Sequence, residues 1–341
     1  MTLRIGLVGA GENTRARHIP GFLALDDVEI VAVCNRSRES GQAVASDYGI
    51  ATVYDEWEAL VAADDIDAIC IGTWPNMHAP VTLSALAAGK HVLTEARMAM
   101  DLAEARQMYE ASASSGLVTM VVPAPLYLAY EPGLLEMLAA DEFGDVLEVS
   151  VSAMSGSYDP GGPLGWRQRR DLSGHNAMSV GIFNEVVRRY IGPERSVMAH
   201  GKTFVSERLD LATRTKTTTD IPDSLGIVAE HENGAMAVYH FSAVARGGRA
   251  ATIELLGSAG GFRLEDGRAW LLDSDGVFVP MASPLAEGDG WNVEAEFVAA
   301  IRQGMPVTRT SFADGVRYME FTEAVAKSNI EGRRVDLPLP S

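Results

Sequence analysis

The chain predicts an α/β fold: an N-terminal doubly wound parallel sheet, followed by an α+β domain with an open, mostly antiparallel sheet. Three observations carry this. The segment Arg4-Ile5-Gly6-Leu7-Val8-Gly9-Ala10-Gly11 is a short apolar run ending in a Gly-x-Gly turn, and a second apolar run, Glu29–Cys34, follows after one helix's worth of residues. Near-continuous apolar strands then alternate with helical patterns to about residue 122, as in a sheet covered on both faces. Beyond residue 125 strands dominate and turn signals separate the later ones.

Each element follows from its local pattern. In the first strand Ile5, Leu7 and Val8 supply burial. Gly9 permits the tight turn, and Gly11 lets a pyrophosphate approach the backbone at the start of the next helix. After Cys34 the text predicts a helix over 39–48, a strand over 51–54, a helix over 56–63 and a strand over 68–72. A helix over 81–88, a strand over 91–94, a helix over 103–114 and a strand over 117–122 complete the first domain, 1–124. The second domain, 125–341, opens with a helix over 133–140. Strands are predicted at 146–154, 196–204, 224–230, 235–243 and 250–257, with a helix over 180–190 lying on the sheet. Glu232-Asn233-Gly234 and Ala259-Gly260-Gly261 mark turns. Late helices are predicted at 292–303 and 313–331, the second with Val316, Met319, Phe321, Ala324 and Val325 near one face.

At 341 residues the chain suits two cores. Its net charge of −18 opposes nucleic acid and anionic membranes as partners, so an anionic ligand has to be met by local donors. No stretch has the pattern of a leader or the length of a membrane span. Cys34 and Cys70, the only two cysteines, fall inside apolar strands as buried thiols. The expectation is a cytoplasmic protein with no metal site.

Several motifs in the right order resemble the Gfo/Idh/MocA family, the relatives of glucose–fructose oxidoreductase and inositol dehydrogenase. They are Thr73-Trp74-Pro75-Asn76-Met77-His78, Ala88-Gly89-Lys90-His91-Val92 with Glu95, Trp166-Arg167, Leu256-Gly257-Ser258, and Asp314-Gly315-x-Arg317-x-x-Glu320 with Gly332-Arg333. The resemblance implies an NAD(P)-dependent oxidoreductase of a sugar, polyol or related carbonyl compound, assembled as a homodimer or homotetramer. It places Thr73, Trp74, Pro75, His78, Glu95 and Ala96 at the coenzyme, with His78 in a structural hydrogen-bonding role.

The departures from the family pattern matter as much. Its usual Glu-Lys-Pro reads Glu95-Ala96-Arg97 here. Its Asp and His at the start of the second-domain helix fall on Ser179 and Phe183. Removing hydride from an alcohol requires a group that takes the hydroxyl proton, and none of these three can do so near neutral pH. His175 and Tyr127 are the candidate proton carriers and Arg97 a candidate substrate anchor; Arg167, Arg169 and Arg170 are further candidates for an anionic substrate. Two alternatives follow from the missing groups: a nucleotide-holding enzyme of glycoside cleavage or epimerisation, and a dinucleotide-binding regulator without catalysis.

The second strand ends Cys34-Asn35-Arg36-Ser37, without the acid that holds the ribose of NAD. Asn35 is a candidate for the ribose, and Arg36 with Ser37 for a 2′-phosphate, which favours NADP over NAD. Compared with the family, one extra residue stands between Gly11 and His18, and Thr14 replaces a small residue. The helix start is therefore expected to shift, with Asn13 and Thr14 as donors to the pyrophosphate.

Overall fold

The computed structural model describes residues 2–156, 158–282 and 290–340, which divide into two compact units. The first contains β1 (Leu3–Val8), α1 (Ile19–Leu23), β2 (Val28–Cys34), α2 (Arg38–Tyr48), β3 (Thr52–Tyr54), α3 (Trp57–Val61), β4 (Ala68–Ile71), α4 (Pro75–Ala87), β5 (His91–Thr94), α5 (Leu102–Ser115) and β6 (Thr119–Val121). All six strands run parallel in the order β3-β2-β1-β4-β5-β6. The order reverses between β1 and β4, and the carboxyl ends of strands at such a point form a ligand crevice. The strands are buried because helices cover both faces: Ile5, Leu7, Ile69, Ile71, Val92 and Leu93 are inaccessible.

Two differences from the sequence-based expectation affect the site. Helix α4 begins at Pro75 rather than residue 81, with extended Trp74 as its cap. Proline suits the first helical position, whose N–H has no partner in any case. The loop motif Thr73–His78 is therefore half helix. After Gly11 the helix start contains a π-helical turn, Thr14–His18, running into α1. A π turn holds one more residue than an α turn, which accommodates the expected additional residue, and His18, Ile19 and Phe22 beyond its start are buried.

The second unit contains α6 (Glu131–Ala139), β7 (Val146–Met154), α7 (Arg170–Ser173), α8 (Val180–Ile191), β8 (Glu194–Lys202), β9 (Glu207–Asp210), β10 (Thr215–Thr218), β11 (Ser224–His231), β12 (Met236–Ser242), β13 (Thr252–Gly257), β14 (Gly261–Glu265), β15 (Arg268–Leu272) and β16 (Phe278–Pro280). Helix α9 (Val293–Gln303), helix α10 (Phe312–Glu331) and β17 (Val335–Asp336) end the chain. The nine-stranded sheet has the order β16-β15-β14-β13-β7-β12-β11-β8-β17 and is antiparallel except where β12 meets β7. One face carries Val149, Val151, Ile227, Tyr239, Phe241 and Phe262 into a core closed by Phe183 and Tyr190 of α8 and Phe321 of α10. On the opposite face Met198, Val228 and Val238 are exposed and in register across β8, β11 and β12.

The reading of 125–341 as one second domain differs from the observed division. Asn292–Met319 belongs to the first unit. Arg302 of α9 donates to the carbonyls of Asp26 and Asp27, Val121 N–H donates to the Thr310 carbonyl, and Met98 N–H donates to the Tyr318 hydroxyl.

Candidate functional site

At the carboxyl end of β1 the chain turns at Gly9 with φ +85°, and a side chain there would collide with Gly72 and Thr73. Glycine is obligatory for this backbone. Its N–H donates to the Cys34 carbonyl at 2.8 Å, and Gly72 N–H donates to the Val8 carbonyl at 2.9 Å, which draws the ends of β1, β2 and β4 together. Gly11 is different. A Cβ there would lie 3.6 Å from the Gly72 carbonyl oxygen, an ordinary contact, so the protein has no steric need for glycine. An exposed position kept bare beside a helix start fits close approach by a diphosphate.

The other residues expected around this turn divide by what already holds them. Thr14 is buried and its hydroxyl donates to the Gly9 carbonyl, so it braces the turn instead of facing a ligand. Asn35 Oδ1 accepts from Ala10 N–H at 2.7 Å. Ser37 caps α2 by accepting from Ser40 N–H, and its hydroxyl donates to the Ser40 hydroxyl at 3.1 Å. Arg36 is exposed, and its guanidinium stands 5.3 Å from the Trp74 ring centroid.

Beyond β4, His78 is buried on the first turn and a half of α4. Its two ring nitrogens face the carbonyls of Arg97 at 2.8 Å and Thr73 at 3.1 Å. Burial lowers its pKa below that of a free histidine, and the ring ties the segment after β4 to that after β5. Glu95 follows β5 and accepts on Oε1 from Asn13 Nδ2 at 2.5 Å, so Asn13 serves Glu95. The same Oε1 lies 3.1 Å from His18 Nε2, while His18 Nδ1 lies 2.5 Å from Glu294 Oε1 of α9. Burial opposes charge on His18, but the hydrogen bonds to Glu294 and Glu95 overcome it and raise its pKa to about 9. Burial likewise pushes Glu95 up, and His18 and Asn13 outweigh it, so its carboxyl lies below the usual range. Ala96 is half-buried, and Arg97 is 3% exposed after a cis peptide bond.

In the second unit Tyr127 is fully buried. Its hydroxyl donates to Glu185 Oε1 at 3.1 Å, and its ring meets Tyr190 edge-on. Burial, then the Glu185 charge, raises its pKa well above that of free tyrosine. His175 keeps 37% of its side chain exposed, with Nδ1 3.6 Å from Glu323. It lines a cavity of about 290 Å³ with Arg170, Asp220, Thr322 and Asn329. Arg170 pairs with Asp220, Arg169 with Asp171, and Arg167 covers the Trp166 ring, so each of these three guanidiniums already has a protein partner. Phe183 packs on Phe241 as a core residue.

Sequence reasoning passed over His18 and Glu294 as functional residues. His18 carried only the weak signal of a histidine in the turn after the glycines; Glu294 carried none. No group of His, Cys, Asp and Glu among the described residues has the arrangement of a metal site, and no described helix is long and apolar enough to cross a membrane.

Comparison with known proteins accords with this architecture. The profile of the oxidoreductase family with an NAD-binding Rossmann fold matches residues 3–122, and that of the GFO/IDH/MocA C-terminal domain matches 134–263. A dTDP-3,4-didehydro-2,6-dideoxy-alpha-D-glucose 3-reductase of Streptomyces violaceoruber is 31% identical over 181 residues, 53% of this chain and 52% of that protein. The match to that relative thus spans about half its length. The reductase of the same name from Streptomyces antibioticus is 26% identical over 95% of this chain and 96% of its own. The D-glucoside 3-dehydrogenase of Escherichia coli is 24% identical over 98% and 97%. Among solved structures, an oxidoreductase domain protein from Kribbella flavida superposes with a TM-score of 0.89 at 24% identity, covering 99% of this chain and 100% of that one. A levoglucosan dehydrogenase in complex with NADH and L-sorbose gives 0.88 at 22% identity, covering 99% of each. A glycine-turned parallel sheet followed by an open sheet, each matched by its own profile, makes this chain a member of the Gfo/Idh/MocA oxidoreductase family.

Proposed function

We propose that the protein is an NAD(P)-dependent oxidoreductase that interconverts a secondary alcohol and a ketone on a sugar or polyol ring. The observation that carries the reading is the Gly9–Gly11 cradle, with a position left bare for a diphosphate, in a chain matched by both family profiles. Relatives named as a 3-reductase and a 3-dehydrogenase of glucose derivatives support a pyranose ring carbon as the reacting centre. Those names are redox names, which favours net hydride transfer over glycoside cleavage or regulation.

The bound nicotinamide supplies hydride-transfer chemistry; the chain binds, orients and handles the proton. Gly9 and Gly11 receive the diphosphate. Arg36 favours NADP over NAD, because its cation is the exposed charge beside an Asn35 that brings no carboxylate. The proton falls to His175, a side chain with both solvent access and a titratable ring. Tyr127, enclosed against Glu185, serves the core. The pairing of Arg169 and Arg170 with aspartates leaves a neutral ring substrate as the better fit than an anion. Two buried free thiols fit a reducing compartment such as the cytoplasm. The exposed row Met198, Val228 and Val238 fits a homodimer formed face to face, which light scattering on the eluted protein tests.

The deciding experiment is a fluorescence titration with NADPH and NADH, followed by rates on a panel of pyranoses and cyclic polyols. Tighter NADPH binding and turnover of a ring alcohol or its ketone are expected. Binding of neither coenzyme overturns the reading.

A further inference from the structure

The cluster around His18 has a chemistry that the coenzyme cradle does not use. His18 is inaccessible to solvent, and each ring nitrogen faces a carboxylate oxygen, Glu294 Oε1 at 2.5 Å and Glu95 Oε1 at 3.1 Å. Carboxylates only accept. With both carboxylates ionised, an imidazole donates to the two of them only when protonated, so the geometry favours the cation. Both donors to Glu95, His18 and Asn13, bind Oε1, and among the described residues Oε2 takes none. The carboxylate is therefore held by one oxygen and open at the other, at the carboxyl end of β5.

We propose that His18, clasped as an imidazolium between Glu294 and Glu95, is a positioning residue that presents the open oxygen of Glu95 to a hydroxyl group of the bound ligand. The inference rests on the oxidoreductase reading. The hydroxyl belongs to the ribose of the coenzyme or to the sugar, and the test separates the two. The titratable groups at the cluster come from several elements. Glu294 is on α9, Glu95 follows β5, and Cys70 on β4 has a thiol pushed up by burial and then by both carboxylates; on His18's own turn Arg15 is drawn to Asp47, and Arg17 shares that turn. His78 on α4 also interacts electrostatically with Glu95.

The test is NADH and NADPH affinity by fluorescence from pH 7 to 10.5, in the wild type, Glu294→Gln and Glu95→Gln. Wild-type affinity is expected to hold through neutral pH and to fall about three- to ten-fold as His18 loses its proton near pH 9. Glu294→Gln removes a neighbouring negative charge and moves that fall to lower pH. Glu95→Gln weakens coenzyme about ten-fold and abolishes the pH step if the hydroxyl is on the ribose. If it is on the sugar, coenzyme affinity is unchanged, KM rises by the same factor and the pH step appears in KM. NMR titration of His18 in the coenzyme-free protein reads the clasp separately. A ring that titrates near pH 9 and shifts down in Glu294→Gln supports it even if neither coenzyme binds, an outcome that would sink the oxidoreductase reading alone. A ring that titrates near 6.5, a Glu294→Gln variant with an unmoved pH step, or a folded Glu95→Gln variant with neither affinity nor KM altered overturns the proposal.

Discussion

The side-chain oxygen of Asn35 accepts a hydrogen bond from the backbone N–H of Ala10 at 2.7 Å, fastening the end of the second strand to the turn after the first. Replacing Asn35 with aspartate keeps that acceptor and adds a negative charge where a 2′-phosphate is expected. Asn35→Asp should lower NADPH affinity at least ten-fold and change NADH affinity much less, read by fluorescence titration. Equal effects on both coenzymes would place the adenosine elsewhere.

Arg36 tests the same end of the crevice from the opposite sign. Arg36→Ala removes a guanidinium lying over Trp74 and is expected to weaken NADPH about ten- to a hundred-fold, with NADH nearly unaffected. An unchanged ratio of the two affinities would refute the preference for NADP.

His175→Gln is expected to reduce kcat by roughly 10²–10⁴-fold and to remove one limb of the pH–rate profile, while coenzyme affinity stays put. A variant with wild-type kcat would free His175 from proton transfer and leave it as a lining residue of the cavity beside Glu323.

Tyr127→Phe separates chemistry from folding. The hydroxyl donates to buried Glu185, whose other oxygen accepts from Ala124 N–H, so its removal should destabilise the protein by about 1–3 kcal/mol. Turnover per folded molecule should be unchanged. Loss of turnover with intact stability would reinstate the tyrosine as a proton carrier.

Stability should depend on pH through His18. Its folded pKa of about 9 lies above the value of a free histidine, so the folded chain binds this proton more tightly than the unfolded one. The contribution is fully present below about pH 6.5 and fades as pH rises toward 9. The Tm of the wild type should fall across this window, and that of Glu294→Gln should fall less. Parallel curves would show that the proton is not shared as the distances imply.

The first sheet was legible because its strands are buried on both faces and read as unbroken apolar runs; β5 and β7 begin and end where the pattern places them. The ribbon of β9 and β10 escaped notice because Glu207–Asp210 and Thr215–Thr218 are polar and largely exposed, with no buried face to write a period. Strands β14 to β16 lie in short runs that turn signals alone did not resolve. The glycine cradle was legible from spacing. The partnership of His18 with Glu294 was not, since 276 positions separate them and only tertiary packing brings α9 to the first unit. Thr14, Ser37 and Asn13 show a further limit, because composition reveals a donor but not whether the fold has already engaged it.

The widened turn at Thr14–His18 has one more implication. In a regular helix an added residue would swing everything downstream by about 100°. A π turn takes up one residue locally, which would allow the spacing between the glycines and the first helix to change by one without re-aiming the imidazole, Ile19 or Phe22. Length at the mouth of the crevice and orientation at its floor would thereby be uncoupled.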